Sequence, residues 1–504
     1  MVKVFPTKAS KAIDCGRAQA LKRTKIMNNK IYDVIVIGAG SGGLSVALFL
    51  GKLNFKVLII AKTDHDIGGD CLNDGCVPSK ALIHIAAITH SAKSADRFGL
   101  KVTGKVNIKK AIEYVYERQE IIREHENAIW LKKQGLDVVL GEAHFTGMNS
   151  ISVNNNVYKG KKIVIATGSL PIKLNVPGVN LVKYYDNKSV FRMEELPDRL
   201  LVIGGGPIGI EIAQAFSRLG SKVTVIHRGT NILEQDHHTL TDILLAQLRK
   251  EGLEILLETE IEKFDSSTTV VIKSKNGKKS EIGFDSVFVG IGRNLVLETL
   301  QLEKANIQVK NEKIVMDEYL RTTNKNVLLC GDIASSLQFS HAAESHARII
   351  LNNLFSPFKK KLNNNHMSWV TFTDPELATF GLSEEQLKKR KIKYVKLQQD
   401  FSGDDRAVTD NYQYAHSIVY LSKKTILKKE KILGGTMLAP KAGELIQELI
   451  LANTSEISTN AIFNKIYPYP VASRVNQHLI VKHKEKSITS GIKKLLQLAF
   501  KIFN

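Results

Sequence analysis

Cysteine is scarce in this chain, and its scarcity limits what the cysteines can do. The 504 residues contain four, with no framework of the kind that staples small secreted proteins. Cys15 and Cys330 stand alone, which favours a reducing compartment, whereas Cys71 and Cys76 lie five positions apart. Structural zinc sites take about four ligands, usually from two short-spaced pairs. The count therefore argues against zinc and leaves a reversible redox couple. We predict no bound metal.

The chain also lacks long apolar runs, and its acidic side chains are fewer than its basic ones. No apolar run approaches the roughly 20 residues needed to span a bilayer. Lysine and arginine number 71 against 50 aspartates and glutamates, a net charge of +21. This excess indicates either a solvated lysine-rich surface or attraction to an anionic surface such as acidic lipid. Because no nucleic-acid-binding motif accompanies the charge, we predict no nucleic-acid partner.

The first 26 residues are rich in lysine and arginine and contain a single acid, Asp14. They have no apolar core of signal-peptide type. They are either a weak organelle-targeting segment or sequence upstream of a natural start at Met27, and both interpretations stay open.

A glycine-rich loop joins a strand to a helix near the start of the chain. Apolar residues 32–37 precede it, an apolar helix runs on to Leu50, and a second strand covers 57–60. The loop has the pattern GxGxxG, through Gly38, Gly40 and Gly43. Such glycines let the backbone approach a pyrophosphate, and the helix N-terminus offers it N–H groups. The segment predicts a dinucleotide-binding unit.

The same device recurs between the strands 200–203 and 223–226. Its glycines are Gly204, Gly206 and Gly209. Two loops in one chain predict two dinucleotides, one held tightly and one exchanging. Between them, residues 107–133 have the apolar spacing of one long helix.

The acid that normally ends the second strand of such a unit, and binds ribose hydroxyls, is missing from both. Ala61 takes its place in the first unit, and His227 followed by Arg228 takes it in the second. Loss of an acid and gain of a basic pair favours a 2′-phosphate, hence NADPH over NADH. The alternative is that His227 and Arg228 are merely exposed.

The cysteine pair lies in the segment GGDCLNDGCVPSK, residues 68–80. Its C-x4-C-x-P-[ST]-K pattern resembles the redox-active segment of the FAD-dependent pyridine nucleotide-disulfide oxidoreductases, and the resemblance runs from about Tyr32 to about Gln477. This family includes dihydrolipoamide dehydrogenase, glutathione reductase and mercuric reductase. The resemblance implies an α/β fold, with Rossmann-like FAD and NAD(P) domains and an α+β C-terminal dimerisation domain. The expected divisions are a basic extension (1–30), the FAD domain (31–180 and 297–362), the NAD(P) domain (181–296), the dimerisation domain (363–481) and a basic tail (482–504).

The resemblance also assigns catalytic roles. Cys76 becomes the sulfur nearest the flavin, and Cys71 the one that attacks the substrate. Lys80 pairs with Glu211, which holds the lysine near the flavin. The alternative for this pair is a surface ion pair worth at most about 1 kcal/mol. Further cofactor contacts implied by the resemblance are Gly69, Thr167, Gly168, Gly292 and Asp332, the last in the segment NVLLCGD.

The chain departs from the family near its C-terminus. Where lipoamide and glutathione reductases have HxHPTxSE, this chain has YPYPVASR, so Tyr469 replaces the acid/base histidine and Arg474 the glutamate that orients it. A tyrosine with a pKa near 10 cannot take a thiol proton at neutral pH as histidine can. Mercuric reductases place a tyrosine near this point, but they also need a C-terminal cysteine pair, and no cysteine follows Cys330.

We therefore predict a homodimeric FAD enzyme that oxidises NAD(P)H and passes electrons through Cys71 and Cys76 to a disulfide, metal ion or quinone, in the manner of mercuric reductase. The alternatives are dihydrolipoamide dehydrogenase and an electron-transfer module docked to a membrane or partner. Residues 482–504 predict a basic amphipathic tail, which either lies on an anionic membrane or packs on the body or a second subunit. The predicted location is the cytoplasm, and both membrane association and organelle targeting by residues 1–26 stay open.

Overall fold

The computed structural model describes residues 27–424 and 429–504, so the predicted targeting segment, residues 1–26, lies outside the described residues. The strands, numbered along the chain, are β1 Met27–Ile37, β2 Val57–Ala61, β3 Asp137–Leu140, β4 His144–Gly147, β5 Ser150–Val153, β6 Asn156–Ile165, β7 Leu170–Pro171, β8 Tyr184–Tyr185, β9 Arg199–Ile203, β10 Lys222–Ile226, β11 Glu254–Leu256, β12 Thr259–Phe264, β13 Thr269–Ser274, β14 Lys279–Gly283, β15 Ser286–Val289, β16 Arg293–Asn294, β17 Val309–Lys310, β18 Lys313–Ile314, β19 Val327–Leu329, β20 Ser368–Thr371, β21 Glu376–Gly381, β22 Tyr394–Asp400, β23 His416–Ser422 and β24 Ile432–Ala439.

The helices are α1 Ser41–Lys52, α2 Gly69–Asn73, α3 Cys76–Ser94, α4 Ile108–Arg123, α5 Ala128–Lys133, α6 Pro207–Leu219, α7 His238–Lys250, α8 Ser340–Phe355, α9 Glu384–Lys389, α10 Asp405–Thr409, α11 Ala442–Leu445, α12 Gln447–Thr454, α13 Thr459–Asn464, α14 Val475–Lys486 and α15 Ser490–Phe503. Short 3-10 turns cover Ala95–Phe98, Val179–Leu181, Val190–Arg192, Glu298–Leu300, Leu302–Ala305, Gly331–Ala334 and Ala472–Arg474.

The first sheet has the strand order β3–β2–β1–β6–β5–β4, with β19 added on β6. Strands β1, β2, β3, β6 and β19 run parallel, and Ile37 is in register with Ile60 and with Ile165. Their apolar side chains are buried, as expected for parallel strands covered on both faces. The carboxyl ends of these strands meet at one edge, where Gly38 and the turn before Asp332 begin.

The second sheet repeats this plan in the order β11–β10–β9–β15–β8, all parallel. An antiparallel ribbon of β12, β13 and β14 lies beside it. Ile203, before the second glycine loop, is in register with Ile226 and Val289. The two glycine loops therefore lie at equivalent edges of two sheets, which confirms the prediction of two Rossmann-like units.

The C-terminal part of the chain forms an antiparallel sheet in the order β20–β21–β24–β23–β22. Its core includes Phe380 and Phe401 from the strand layer, and Leu449 and Leu479 from helices α12 and α14. Helices packed on one face of an antiparallel sheet make an α+β domain, as predicted.

The segment expected to be one long helix is interrupted. Helix α4 ends at Arg123, and α5 begins after Asn127, whose side-chain oxygen accepts a hydrogen bond from the Trp130 N–H at 2.8 Å. Asparagine is a strong N-cap and a poor helix-interior residue, because its side chain competes for backbone hydrogen bonds. The apolar spacing continues across residues 124–127 and therefore predicts one helix. The N-cap Asn127 instead starts a new helix there.

Candidate active site

A short helix and the start of a long one hold Cys71 and Cys76 side by side. Cys71 lies within α2, and Cys76 is the first residue of α3. Between them the chain turns back at Gly75, where a Cβ atom would come within 2.8 Å of the Asp70 carbonyl oxygen. Both cysteines are free thiols joined by a hydrogen bond, which corresponds to the reduced form of a redox couple.

The two sulfur atoms have different acidities. The hydrogen bond from Cys71 is the main influence that lowers the pKa of Cys76 to about 6, with Ser340 and Lys80 acting in the same direction against burial. Ser340 Oγ lies 3.5 Å from Cys76 Sγ. The same hydrogen bond, together with burial, raises the pKa of Cys71. At neutral pH, Cys76 is therefore the thiolate and Cys71 the thiol. Ser340, from the start of α8, was not expected from the sequence.

Lys80 and Glu211 meet across a domain boundary. Lys80 Nζ lies 2.8 Å from Glu211 Oε2, and the Glu211 side chain is only 6% exposed. The other carboxylate oxygen accepts the Phe372 N–H at 2.8 Å, and the Phe372 ring centroid is 4.3 Å from Lys80 Nζ. The pair thus joins α3, α6 and the C-terminal domain. Burial of Glu211 distinguishes it from the solvated surface pair that was the alternative.

The first glycine loop fits a dinucleotide pyrophosphate. Gly38 has φ 105°, and a Cβ atom there would lie 2.2 Å from the Ala166 carbonyl oxygen. Cβ atoms on Gly43 and Gly69 would lie 2.0 Å from Gly38 O and 2.7 Å from Gly40 Cα. Helix α1 begins without a side-chain cap, so its first N–H groups are available to phosphate oxygens.

A polar cluster surrounds Asp332 at the same edge. Asp332 accepts a hydrogen bond from Ser169 Oγ at 2.6 Å. Arg293 Nε donates a hydrogen bond to the same Ser169 Oγ at 2.7 Å. The Arg293 guanidinium also contacts Asp70 and lies 3.8 Å from Asp332. Burial raises the pKa of Asp332. Gly168 begins the turn before Ser169 and faces open space.

These polar partners of Asp332 were missed in the sequence. Asp70, Ser169 and Arg293 each directly follow a predicted contact, namely Gly69, Gly168 and Gly292. A polar residue next to a cofactor glycine was the available signal. The predicted contact Thr167 lies in the same turn as Gly168.

His346 supports this cluster from behind. It is fully buried, its Nδ1 accepts the Gly331 N–H at 3.1 Å, and its Nε2 lies 3.2 Å from Ser336 Oγ. Burial lowers its pKa to about 4, so the ring stays neutral and keeps an acceptor for Gly331. The backbone that carries Asp332 is thereby fixed.

The second glycine loop has the same geometry as the first. Cβ atoms on Gly204 and Gly209 would lie 2.3 Å from Gly290 O and 2.1 Å from Gly204 O. Gly206 faces open space, and α6 begins at Pro207 without a side-chain cap. These features leave room and N–H groups for a second pyrophosphate.

The two residues of the basic pair after β10, His227 and Arg228, differ in burial and in charge. His227 Nδ1 accepts the Gly205 N–H at 3.1 Å, and burial lowers its pKa, so this ring is neutral. His227 Nε2 lies 4.0 Å from Glu234 Oε1. Arg228 is exposed at the surface. Arg228 is thus the cation available to a ribose phosphate, and Glu234 is an acidic neighbour that the sequence had not indicated.

Tyr469 makes its contacts within the C-terminal domain. Its side chain is exposed, its hydroxyl donates to Asp405 Oδ2 at 3.1 Å, and the Arg474 guanidinium carbon lies 5.6 Å from its ring centroid. The hydrogen bond to Asp405 raises the pKa of Tyr469. The structure therefore pairs the tyrosine with a carboxylate from α10 and holds it as a neutral phenol.

Two features are absent from residues 27–424 and 429–504. No group of three or more histidine, cysteine, aspartate or glutamate side chains is placed to hold a metal ion in that part of the chain. No helix there combines the length and apolar character needed to cross a membrane.

Comparisons with known proteins agree with this geometry. A family model described as pyridine nucleotide-disulphide oxidoreductase matches residues 32–347, and the dimerisation domain of that family matches residues 367–479. The chain is 30% identical to a mercuric reductase of Bacillus cereus, over 90% of this chain and 72% of that one. It is 33% identical to a dihydrolipoyl dehydrogenase of Thermus scotoductus, over 88% and 95%.

Solved structures give the same result. The HOCl-induced flavoprotein disulfide reductase RclA of Escherichia coli superposes with a TM-score of 0.78 at 26% identity, over 89% of this chain and 99% of that one. A Cu(II) complex of RclA matches with the same TM-score at 25% identity, over 90% and 99%. The chain therefore belongs to the FAD-dependent pyridine nucleotide-disulphide oxidoreductases, a dimerising family of enzymes that use a pyridine nucleotide.

Proposed function

We propose that this enzyme oxidises NADPH and delivers the electrons, through Cys71 and Cys76, to a soft metal ion. Bound FAD supplies the two-electron transfer between the nicotinamide and the disulfide. The observation that carries the proposal is the pair of free thiols on α2 and at the start of α3, where Ser340 Oγ lies 3.5 Å from Cys76 Sγ and Lys80 pairs with Glu211 at 2.8 Å. Their hydrogen bond lowers the pKa of Cys76 and raises the pKa of Cys71. Cys76 would be the sulfur on the flavin side and Cys71 the one that meets the acceptor, while Lys80 and Glu211 position α3.

The cofactor contacts follow from the two loops and the Asp332 cluster. We assign FAD to the first loop and NADPH to the second. The residues assigned to FAD are Gly38, Gly40, Gly43, Gly69, Thr167, Gly168, Gly292 and Asp332, and we add Asp70, Ser169 and Arg293 because they form the polar cluster at Asp332. The residues assigned to NADPH are Gly204, Gly206, Gly209 and Arg228, with His227 shaping the loop.

A metal ion suits this site better than a disulfide does. Thiolates are soft ligands and favour soft ions such as Hg(II) or copper. In the step proposed, the dithiol loses two electrons and two protons to become the disulfide, while two Cu(II) ions become Cu(I). Release of a metal product needs no general acid to protonate a leaving thiolate, which fits a chain that has Tyr469 in place of the acid/base histidine. Mercuric reductase and the RclA–Cu(II) complex are relatives named for such ions.

The second candidate is dihydrolipoamide dehydrogenase, favoured by the similarity to the Thermus scotoductus enzyme. A quinone is the third class of acceptor. An electron-transfer module without a small acceptor would oxidise NADPH only when a partner protein is present. A panel of Cu(II), Hg(II), lipoamide and a soluble quinone, with NADPH as donor, separates these candidates.

We also propose the domain division given by the sequence. Residues 31–180 and 297–362 would bind FAD, residues 181–296 would bind NADPH, and residues 363–481 would form the dimer interface. Ile466 and Tyr469 are exposed apolar residues on that last domain, 93% and 67% accessible, which suits burial against a second subunit. The cytoplasm is the proposed location, because unpaired cysteines suit a reducing compartment. We also propose that the protein contacts a membrane facing the cytoplasm, because residues 482–504 are basic and largely exposed.

Anaerobic titration of the holoenzyme tests the proposal. The oxidised wild type should consume about two equivalents of NADPH per flavin, one for FAD and one for the disulfide, since each is a two-electron couple. Thiol counting should show two new thiols. Cys76→Ser should consume about one equivalent and gain none. A wild type that takes one equivalent, with no new thiol, contradicts the proposal because its cysteines are then inert.

Arg228 should decide the preference for NADPH. We expect Arg228→Ala to raise KM for NADPH about tenfold or more, since a charge-assisted hydrogen bond to phosphate contributes about 1.5–3 kcal/mol. KM for NADH should change less than twofold. Lys250→Ala, which removes an exposed cation from α7 of the same domain, is the control and should change neither value. Equal increases for both nucleotides would contradict a phosphate contact.

A further inference from the structure

Helix α15, Ser490–Phe503, extends from the body of the protein with its apolar side chains uncovered. None of its residues is buried. Leu495, Phe500, Ile502 and Phe503 are between 65% and 83% exposed. Packing against the protein's own body was one of the alternatives for this tail. The exposure of these side chains shows that the described residues, 27–424 and 429–504, do not cover them.

The exposed side chains form one broad face. With about 100° between successive helical residues, the apolar positions fill an arc of roughly 200°. They are Ile492, Leu495, Leu496, Leu498, Ala499, Phe500, Ile502 and Phe503. Every charge of the helix, on Lys493, Lys494 and Lys501, lies together with Gln497 within an arc of roughly 100° on the opposite side. A helix with this division has a wide apolar face and a narrower cationic face opposite it.

A second copy of the helix is a poor match for this face. Paired helices bury a narrow seam and use opposite charges along its flanks to fix their register. Here the apolar arc is far wider than a seam, and residues 487–504 contain no aspartate or glutamate to pair with the lysines. An acidic partner face is thus missing from the helix itself.

An anionic lipid surface matches both halves of the helix. Its acyl region accepts the wide apolar arc, and its headgroups accept lysines at the margins. Helix α14 ends immediately before with Lys482, Lys484 and Lys486, which extend the positive charge. With 14 residues and three lysines, α15 is too short and too charged to cross a bilayer.

We propose that α15 lies in the plane of an anionic membrane, with its apolar arc among the lipid chains and its lysines at the phosphate groups. Because the family dimerises, each assembled enzyme carries two such helices. This contact goes beyond the redox chemistry and does not depend on it.

Flotation of the full-length holoenzyme with vesicles tests the proposal. Binding to phosphatidylcholine containing phosphatidylglycerol should exceed binding to phosphatidylcholine alone by at least tenfold, and should weaken with added salt. Leu495→Gln/Leu496→Gln should lower binding more than tenfold. NADPH oxidation in solution should stay unchanged in this variant, so loss of docking and loss of enzyme function are distinguished.

Charge variants separate the helix from the general basicity of the protein. Lys493→Gln/Lys494→Gln/Lys501→Gln should lower binding about a hundredfold, since each interfacial lysine contributes about fivefold. The matched control removes three exposed lysines from α4 and α5, as Lys109→Gln/Lys110→Gln/Lys133→Gln, and should lower binding less than threefold. Equal losses in the two triple variants would overturn the proposal.

Self-association is the competing outcome. Sedimentation velocity without lipid should give the same oligomer for the wild type and for the Leu495→Gln/Leu496→Gln variant. A smaller oligomer in the variant would show that α15 pairs with a second copy, and would overturn the membrane assignment. Equal binding of the wild type to zwitterionic and anionic vesicles would do the same.

Discussion

Replacing either cysteine of the active pair should stop electron delivery to the acceptor, with a loss of at least a thousandfold. The two variants should nevertheless differ in acid–base behaviour. Cys76 is held as a thiolate by Cys71, Ser340 and Lys80, and its pKa is about 6. In the reduced wild type, the rate of Cys76 alkylation should therefore climb about tenfold per pH unit below about 6 and level off above it. Cys71→Ala removes the strongest of these influences, so the profile of Cys76 should move to higher pH.

Alkylation is followed by mass spectrometry of the Cys76 peptide, over a pH range that keeps the protein folded. Lys80→Met should move the profile in the same direction by a smaller amount, because a cation is lost while the thiol partner remains. Cys330→Ser is the matched control, since this thiol is buried in the FAD-domain core and burial raises its pKa to about 12. A Cys76 profile with an ordinary midpoint near 8.5 in the wild type would contradict the assignment.

The parts of the site that could be predicted from sequence are those built from neighbouring residues. The glycine loops are recognisable because their glycines recur at fixed spacing, and some meet a requirement within the loop, such as the close approach of Gly43 to Gly38. The segment from Cys71 to Lys80 carries its chemistry within ten residues. The break between α4 and α5 was missed because periodicity was weighed without the capping preference of Asn127.

The remaining residues reach the site through tertiary packing. Arg293 meets Asp70 across 223 positions, and Ser340 meets Cys76 across 264. His346 acts only through the Gly331 backbone. No local pattern distinguishes such residues from ordinary polar ones, because their partners are fixed by the order of strands in the two sheets and not by spacing along the chain.

The C-terminal segment 467–474 illustrates both what the sequence predicts and what only the structure adds. The sequence predicted that Tyr469 and Arg474 stand where a histidine and a glutamate act in disulfide-reducing relatives. The structure adds that Tyr469 has acquired a different carboxylate, Asp405, from a helix 64 positions earlier. That contact raises the pKa of the phenol and so moves it further from the range in which it would exchange protons at neutral pH.

Restoring the missing pair should therefore create disulfide reductase activity. We expect Tyr469→His/Arg474→Glu to raise kcat for lipoamide about a hundredfold, the low end of what a positioned general acid or base contributes. Imidazole has an unperturbed pKa near 6.5 and can return a proton to the leaving thiol, while the glutamate fixes its orientation. The gain requires the protonated imidazole, so it should follow a histidine titration and fall between about pH 5.5 and 7.5 as that proton is lost. Reduction of Cu(II), which requires no such proton, should change less than threefold.

Single variants identify the source of the gain. Tyr469→His alone should give a smaller increase, because Arg474 would then lie beside the imidazole and disfavour its charged form. Tyr469→Phe should leave lipoamide turnover low, and it tests whether the phenol hydroxyl contributes to metal reduction. If the double variant gains nothing while still binding FAD and reducing Cu(II), the barrier to disulfide substrates lies in access to Cys71, and the loss of the histidine is secondary. A gain confined to lipoamide would instead place the choice of acceptor in these two side chains, because the thiol pair and both dinucleotide loops are the same in every variant.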